Sequence, residues 1–182
     1  GLSWQNREFI DIGFNMNEGR IAELAGGVLV INSRSTDSTR KQTYSTDGGA
    51  TWSTPALWES IGSYANCDSG FISSVTPQGT ELVTVHQYGT ANRDNLYVFV
   101  SYDNGKTWSY SKKIWEKTMG SRGTGASDIY LIDENTYGVV HADYWGKNNV
   151  EYVVFNTSYI ANVEEPVEIF KEYACEAQIG IQ

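Results

Sequence analysis

Proline and cysteine are scarce in this 182-residue chain, at 3 and 2 copies, and histidine is equally rare at 2. The two cysteines, Cys67 and Cys175, exclude a disulfide-dense scaffold, and no metal-ligand spacing links them to each other or to the histidines. Buried free thiols are the expectation for both, with a disulfide as the alternative. No apolar run approaches the roughly 18 residues of a membrane span; "GGVLVI" is strand length. No charged-then-apolar leader opens the sequence, so any signal peptide is expected outside it. Basic residues number 13 against 22 acidic, for a net charge of −9. That balance argues against a nucleic-acid partner. A small anion stays open, because it answers to local arginines and not to the total.

What is abundant is glycine, with 18 copies, and aromatics, with 12 Tyr and 6 Trp. Together they favour strands and tight turns. One phrase is spelled twice: "STDGGATW" from Ser45 and "SYDNGKTW" from Ser101, both Ser-x-Asp-x-Gly-x-Thr-Trp. The opening "GLSW" matches its second half. Each phrase follows one apolar strand and precedes another, as a hairpin connection does. The aspartate can accept from N–H groups of its own turn, and the glycine can take the positive φ the turn needs. The tryptophan can bury a large apolar surface between sheets. Four short strand segments surround each phrase. The clearest set is "FISSVTP", "ELVTVHQY", "NLYVFVSY" and "SYSKKIWE". It is preceded by "RIAELA", "GVLVINSR", "KQTYST" and "PALWES", and followed by "ASDIYLID", "TYGVVHADY", "VEYVVFN" and "EPVEIFKEY". Four-stranded units repeating at this length predict an all-β propeller; a β-sandwich with two similar turns is the alternative.

The repeated phrase resembles the Asp-box of sialidases (neuraminidases) and related propellers. The resemblance implies a six-bladed parent, of which residues 1–182 are the C-terminal portion of one domain: about three blades plus one strand. It makes Asp47, Gly49, Trp52, Asp103, Gly105 and Trp108 structural, on the side away from the active site. The stretch "NEGRIAELAGGVLVINSR" resembles the bacterial sialidase pattern more specifically. It implies that Glu18 is the catalytic glutamate and Arg34 the second arginine of the substrate-carboxylate triad, 16 residues later. Glu23, in a Glu-Leu pair, is a decoy. In "NRDNLYVFVSYDNGKTW" the resemblance makes Arg93 the third arginine, and "ANCDSGFISS" resembles the first strand of the same blade. The first triad arginine and the acid/base aspartate belong to earlier blades of the family; Asp11 and Asp37 read as solvated loop charges.

The chemistry suits those residue types. Sialic acid carries a carboxylate on its anomeric carbon, and guanidinium groups hold a planar carboxylate through paired, charge-assisted hydrogen bonds. Sialidases use a tyrosine nucleophile in place of a carboxylate, and Glu18 would take its proton. Here the chain departs from the family. Where the pattern has Gly-Tyr-Ser, this sequence reads "GAS", with Ala126 at the nucleophile position. Tyr130 is four residues further along a strand, and Tyr144 is the other nearby tyrosine. Asp143 is the nearest acid to the family's supporting glutamate, offset by one residue. The implied function is an exo-α-sialidase, a retaining hydrolase secreted or held at the cell surface. It would act on sialylated glycans with no metal or other cofactor, in a propeller completed by N-terminal blades. The alternatives are a propeller that binds sialic acid without cleaving it, and another exo-acting glycoside hydrolase or lyase.

Overall fold

The computed structural model describes residues 16–37, 39–58, 67–76, 79–88, 93–108, 110–116, 124–143 and 150–161. The opening "GLSW", Asp11, Tyr144, Cys175 and the strand expected at "EPVEIFKEY" lie outside them.

Three antiparallel sheets follow one another along the chain. The first comprises β1 (Met16–Glu23), β2 (Leu29–Ser35), β3 (Arg40–Ser45) and β4 (Ala56–Leu57), side by side in that order. The second comprises β5 (Gly70–Thr76), β6 (Gly79–His86), β7 (Asn95–Ser101) and β8 (Tyr110–Glu116), again in order. The third comprises β9 (Thr124–Asp133), β10 (Thr136–Asp143) and β11 (Val150–Asn156), followed by the short helix α1 (Thr157–Ala161). Every one of these strands coincides with a segment expected from the sequence. Most limits agree within two residues, and β1 and β4 differ most. β1 starts earlier, at Met16, and stops at Glu23, because Gly26 and Gly27 turn the chain with φ of 78° and 77°. β4 pairs with β3 only through Lys41 opposite Leu57 and Gln42 opposite Ala56.

The sheets are stacked face to face, with β1 against β5 and β5 against β9. The middle sheet is therefore buried on both faces, and its central strand does not show a clean apolar–polar alternation. Leu82, Thr84 and His86 of β6 are buried, as are Val83 and Val85 between them. Toward the first sheet, Leu82, Phe71, Phe99 and Trp108 pack with Ala22, Leu24, Val30 and Trp58. Trp58 lies 4.4 Å from Trp108 and edge-on to His86 and Phe99. Polar groups share this seam: the buried Arg40 donates from Nε to Asn32 Oδ1 at 2.6 Å and from a terminal nitrogen to Ser69 Oγ. Toward the third sheet the seam is mostly aliphatic, with Val83, Val85, Leu96, Val98, Val100 and Ile114 against Ile129, Val139, Val153, Phe155 and Ile160. Each fully buried Val, Leu or Ile contributes about 1.5–3 kcal/mol. One polar cluster interrupts it, where the Tyr137 hydroxyl donates to Glu81 at 2.6 Å and meets Ser74 Oγ at 2.8 Å. Among the described residues no further sheet covers the outward face of the third, which exposes Tyr130, Ile132, Val140 and Val150. The arc is open, and the fold is a part of a propeller.

Because each sheet is an up-and-down meander, strand ends sort to two rims. The start of β1, the end of β2 and the starts of β5, β7 and β9 share one rim. The turns after β3 and β7, which hold the repeated phrase, share the other.

Candidate functional site

At the first rim the backbone of β1 breaks register. Asn17 pairs with Arg34 and Gly19 with Ser33, which leaves Glu18 as the extra residue of a β-bulge. Its φ is +44°, in the left-handed region that a residue with a Cβ enters at a cost. The bulge turns the Glu18 side chain onto Arg34, whose Nη1 donates to Glu18 Oε2 at 2.6 Å. The Ser33 hydroxyl donates to the carbonyl of Asn17 at 2.8 Å and holds the bulge to β2. Around it lies an open depression of about 380 Å³ lined by Met16, Glu18, Arg20, Ile21 and Ile31 among others.

Arg93 stands on the same rim, just ahead of β7, and it too has positive φ, +55°. Its carbonyl accepts from the Thr124 amide at 2.7 Å, so it is joined to the start of β9. Cys67, a buried free thiol, is within electrostatic reach of both Arg93 and Glu18. Burial pushes the Cys67 pKa up; Arg93 pulls it down and Glu18 pushes it up, so both charges act on one point. Ala126 is exposed near the start of β9. Its backbone is firmly held. The buried Gln87 donates from Nε2 to the carbonyls of Thr124 and Gly125, at 3.3 and 2.9 Å. Ser127 Oγ accepts from the Gly70 amide at 3.2 Å and donates to the Val85 carbonyl at 3.1 Å. Asp143 ends β10 opposite Thr124, on the same rim. Tyr130 lies further along β9 on the outward face, its hydroxyl against that of Tyr152 and its ring 6.2 Å from the Tyr152 ring. That contact pushes the Tyr152 pKa up to about 12. The rim thus carries Glu18, Arg34, Arg93, Ala126 and Asp143; Tyr130 sits apart from them.

The opposite rim carries the two repeated turns, built alike atom for atom. Asp47 Oδ1 accepts from the Thr51 amide at 2.8 Å and Oδ2 from the Thr51 hydroxyl at 2.6 Å; Asp103 and Thr107 repeat both distances. Ser45 and Ser101 each donate to their aspartate at 2.8 Å and accept from the Gly49 and Gly105 amides. Gly49 and Gly105 have φ of 88° and 79°, as the turn requires. The turns differ in what they touch. Trp108 is buried against Trp58, whereas Trp52 is half-buried and bonds its own turn through Nε1 to the Gly49 carbonyl at 3.1 Å. The second turn is also latched to the first sheet: Gln42 Nε2 donates to the Gly105 carbonyl at 2.9 Å and the Tyr44 hydroxyl to the Asn104 carbonyl at 3.0 Å.

Arg20, Asp68 and Gln87 are rim residues outside any local motif, because their partners are distant in sequence: Asp68 and Asp128 for Arg20, and the Thr124 and Gly125 carbonyls for Gln87. Glu23 ends β1, away from the rim where that strand starts, and its carbonyl accepts from Ser73 Oγ at 2.5 Å. Asp37 is exposed and bonded to Thr39 of its own loop and to Lys41 of β3. Among the described residues no group of three or more His, Cys, Asp or Glu is placed to hold a metal ion, and no helix is long and apolar enough to cross a membrane.

Stacked meanders, two of four strands and one of three among the described residues, with repeated turns on one rim and charged groups gathered on the other, define a propeller-class protein. The family model described as "BNR repeat-like domain" matches residues 1–159, and the chain belongs to that family. It is similar to a sialidase of Micromonospora viridifaciens, 25% identical over 177 residues, which cover 93% of this chain and 26% of that protein. A sialidase of Vibrio cholerae serotype O1 is 28% identical over 179 residues, 79% of this chain and 22% of that one. The chain thus spans roughly a quarter of the curated relatives it matches. In three dimensions it resembles a Hadza microbial sialidase at a TM-score of 0.67 and 23% identity, covering 80% of this chain and 28% of that one. The intramolecular trans-sialidase of Ruminococcus gnavus superposes at 0.65 with 22% identity, over 85% and 35% of the two chains. These likenesses bear out the resemblance to bacterial-type sialidases and the all-β propeller class.

Proposed function

We propose that residues 1–182 are the C-terminal portion of a single sialidase-like propeller domain, and that the protein carrying them acts on terminal sialic acid of glycans outside the cell. One observation carries the reading: a carboxylate and two arginines, Glu18, Arg34 and Arg93, stand on one rim of a sialidase-like fold, two of them on strained backbone. Arg34 and Arg93 would take the substrate carboxylate by charge-assisted hydrogen bonds. Glu18 would leave Arg34 as the ligand arrives and serve as the base. The other members of the machinery would come from N-terminal blades, which also complete the open arc. A second reading, binding without cleavage, is favoured by a specific observation: the position that the resemblance gives to the nucleophile holds Ala126, an exposed residue with no group that could attack.

The test uses the full-length protein and N-acetylneuraminic acid, with affinity measured by calorimetry. Arg34→Ala and Arg93→Ala are each expected to weaken binding by about 1.5–3 kcal/mol, the range for a hydrogen bond to a charged group. Asp103→Ala, on the opposite rim, should leave the affinity of the folded protein unchanged. Equal loss in all three variants, or no binding by the parent, would overturn the proposal.

A further inference from the structure

We propose that Arg20 is a positioning residue that sets the spacing of the rim, an inference that rests on the sialic-acid reading of the site. Arg20 leaves β1 two residues after the bulged Glu18. Its guanidinium donates from Nε to Asp68 Oδ1 at 3.2 Å and from Nη2 to Asp68 Oδ2 at 2.5 Å, and Nη1 lies 3.8 Å from Asp128 Oδ1. Arg20 and Asp128 stand on the first and third sheets, and Asp68 on the approach to the second. Asp68 leads into β5 directly after Cys67, and Asp128 is two residues along β9 from Ala126. One planar cation therefore ties together the segments that carry Glu18, Cys67 and Ala126.

Both carboxylates are aimed before the arginine arrives. The Ser69 amide donates to Asp68 Oδ1 at 2.8 Å, and the Ile129 amide to Asp128 Oδ1 at 3.0 Å. With two acids on it, Arg20 is neutralised and is not offered to an incoming carboxylate, unlike Arg34 with its single acid. The fork matters more than the charge: only a guanidinium meets Asp68 with two parallel bonds while turning a third nitrogen to Asp128. Exposed ion pairs add little to stability, so the tie acts on geometry. A displacement of about 1 Å among groups that must act together can cost on the order of a hundredfold.

The test uses full-length protein with Arg20→Lys and Arg20→Ala, each shown folded by circular dichroism. Arg20→Lys is expected to weaken N-acetylneuraminic acid binding about three- to tenfold and Arg20→Ala at least about tenfold, with melting temperatures within a few degrees of the parent. Adding Asp128→Asn to Arg20→Ala should bring little further loss. A ligand-free measurement stands beside it: in protein labelled with 15N-alanine, Arg20→Lys should shift the Ala126 amide resonance and leave that of Ala50, on the far rim, in place. If the parent does not bind the sugar, the sialic-acid reading fails and the Ala126 resonance still decides the tie. An unmoved Ala126 resonance, or unchanged affinity in folded Arg20→Ala, would overturn the proposal.

Discussion

Gly70 sits where two strands of different sheets nearly touch. A Cβ built there would lie 2.8 Å from Ile129 Cγ2 and 2.9 Å from the Ile129 amide nitrogen, and backbone cannot step aside as a flexible side chain can. Gly70→Ala is therefore expected to destabilise the protein by about 1–3 kcal/mol through overpacking, read as a lower urea midpoint at an unchanged slope. An unchanged midpoint would mean that β9 is free to move outward. Asp47 allows a pH argument. The Thr51 hydroxyl and amide and the Ser45 hydroxyl lower its pKa from 3.8 to about 2. A depressed carboxylate adds stability that is present above the unfolded pKa and lost as pH falls through the folded one. The window here runs from about pH 4 down to about pH 2. The melting-temperature gap between parent and Asp47→Ala should be full at pH 7 and shrink toward pH 2; a gap independent of pH would mean that the charge is irrelevant to the turn. Asp47 and Asp103 were legible in the sequence because every bond they make falls within a few residues of one turn. Arg20 was not. Its partners Asp68 and Asp128 are 48 and 108 residues away, and no local pattern marks such a pairing.

At the scale of elements, strand order and most strand limits were also readable, because each strand is a short apolar run closed by turn residues. The bulge in β1 was not, since an extra residue leaves no mark on an already irregular pattern, yet it is what aims Glu18 at Arg34. β9 holds Ala126, the position that the resemblance gives to the nucleophile. Its first turns of chain are locked by Gln87 and Ser127, so a larger side chain at Ala126 would project from fixed backbone into the open rim. Ala126→Tyr is expected to confer or raise release of 4-methylumbelliferone from its sialoside in the full-length protein, with the α-anomer of the product formed first. An increase of at least tenfold supports the hydrolase reading. No gain in a variant that still binds the sugar would mark a protein adapted to binding. High activity in the parent would show that another group fills the nucleophile's place; Tyr130, stacked on Tyr152 along the strand, is poorly situated for it.

The described residues form a row of three sheets, in which each unit leans chiefly on its neighbours; Arg20, reaching Asp128, is the exception that spans the first and third. The two seams are unlike. Between the first and second sheets lie Arg40, Asn32, Gln42 and His86 beside the aromatic rings, and burial there keeps the His86 imidazole well below its usual pKa. Between the second and third lie chiefly branched aliphatic side chains. When a seam opens for an instant, water recovers the solvation of buried polar groups but gives nothing back to an aliphatic surface. The row should therefore breathe unevenly, with the first sheet swinging away while the other two stay joined. Hydrogen–deuterium exchange read by mass spectrometry should find the amides of β6, β7 and β10 the last to exchange, and those of β2 and β3 earlier, as one cooperative group. The reverse order would show that the Arg40 network holds its seam more tightly than hydrocarbon does. If the expected order is found, Glu18 and Arg34 ride on the part that moves, Arg93 and Ala126 on the part that does not, and the rim opens and closes with the breathing of a single seam.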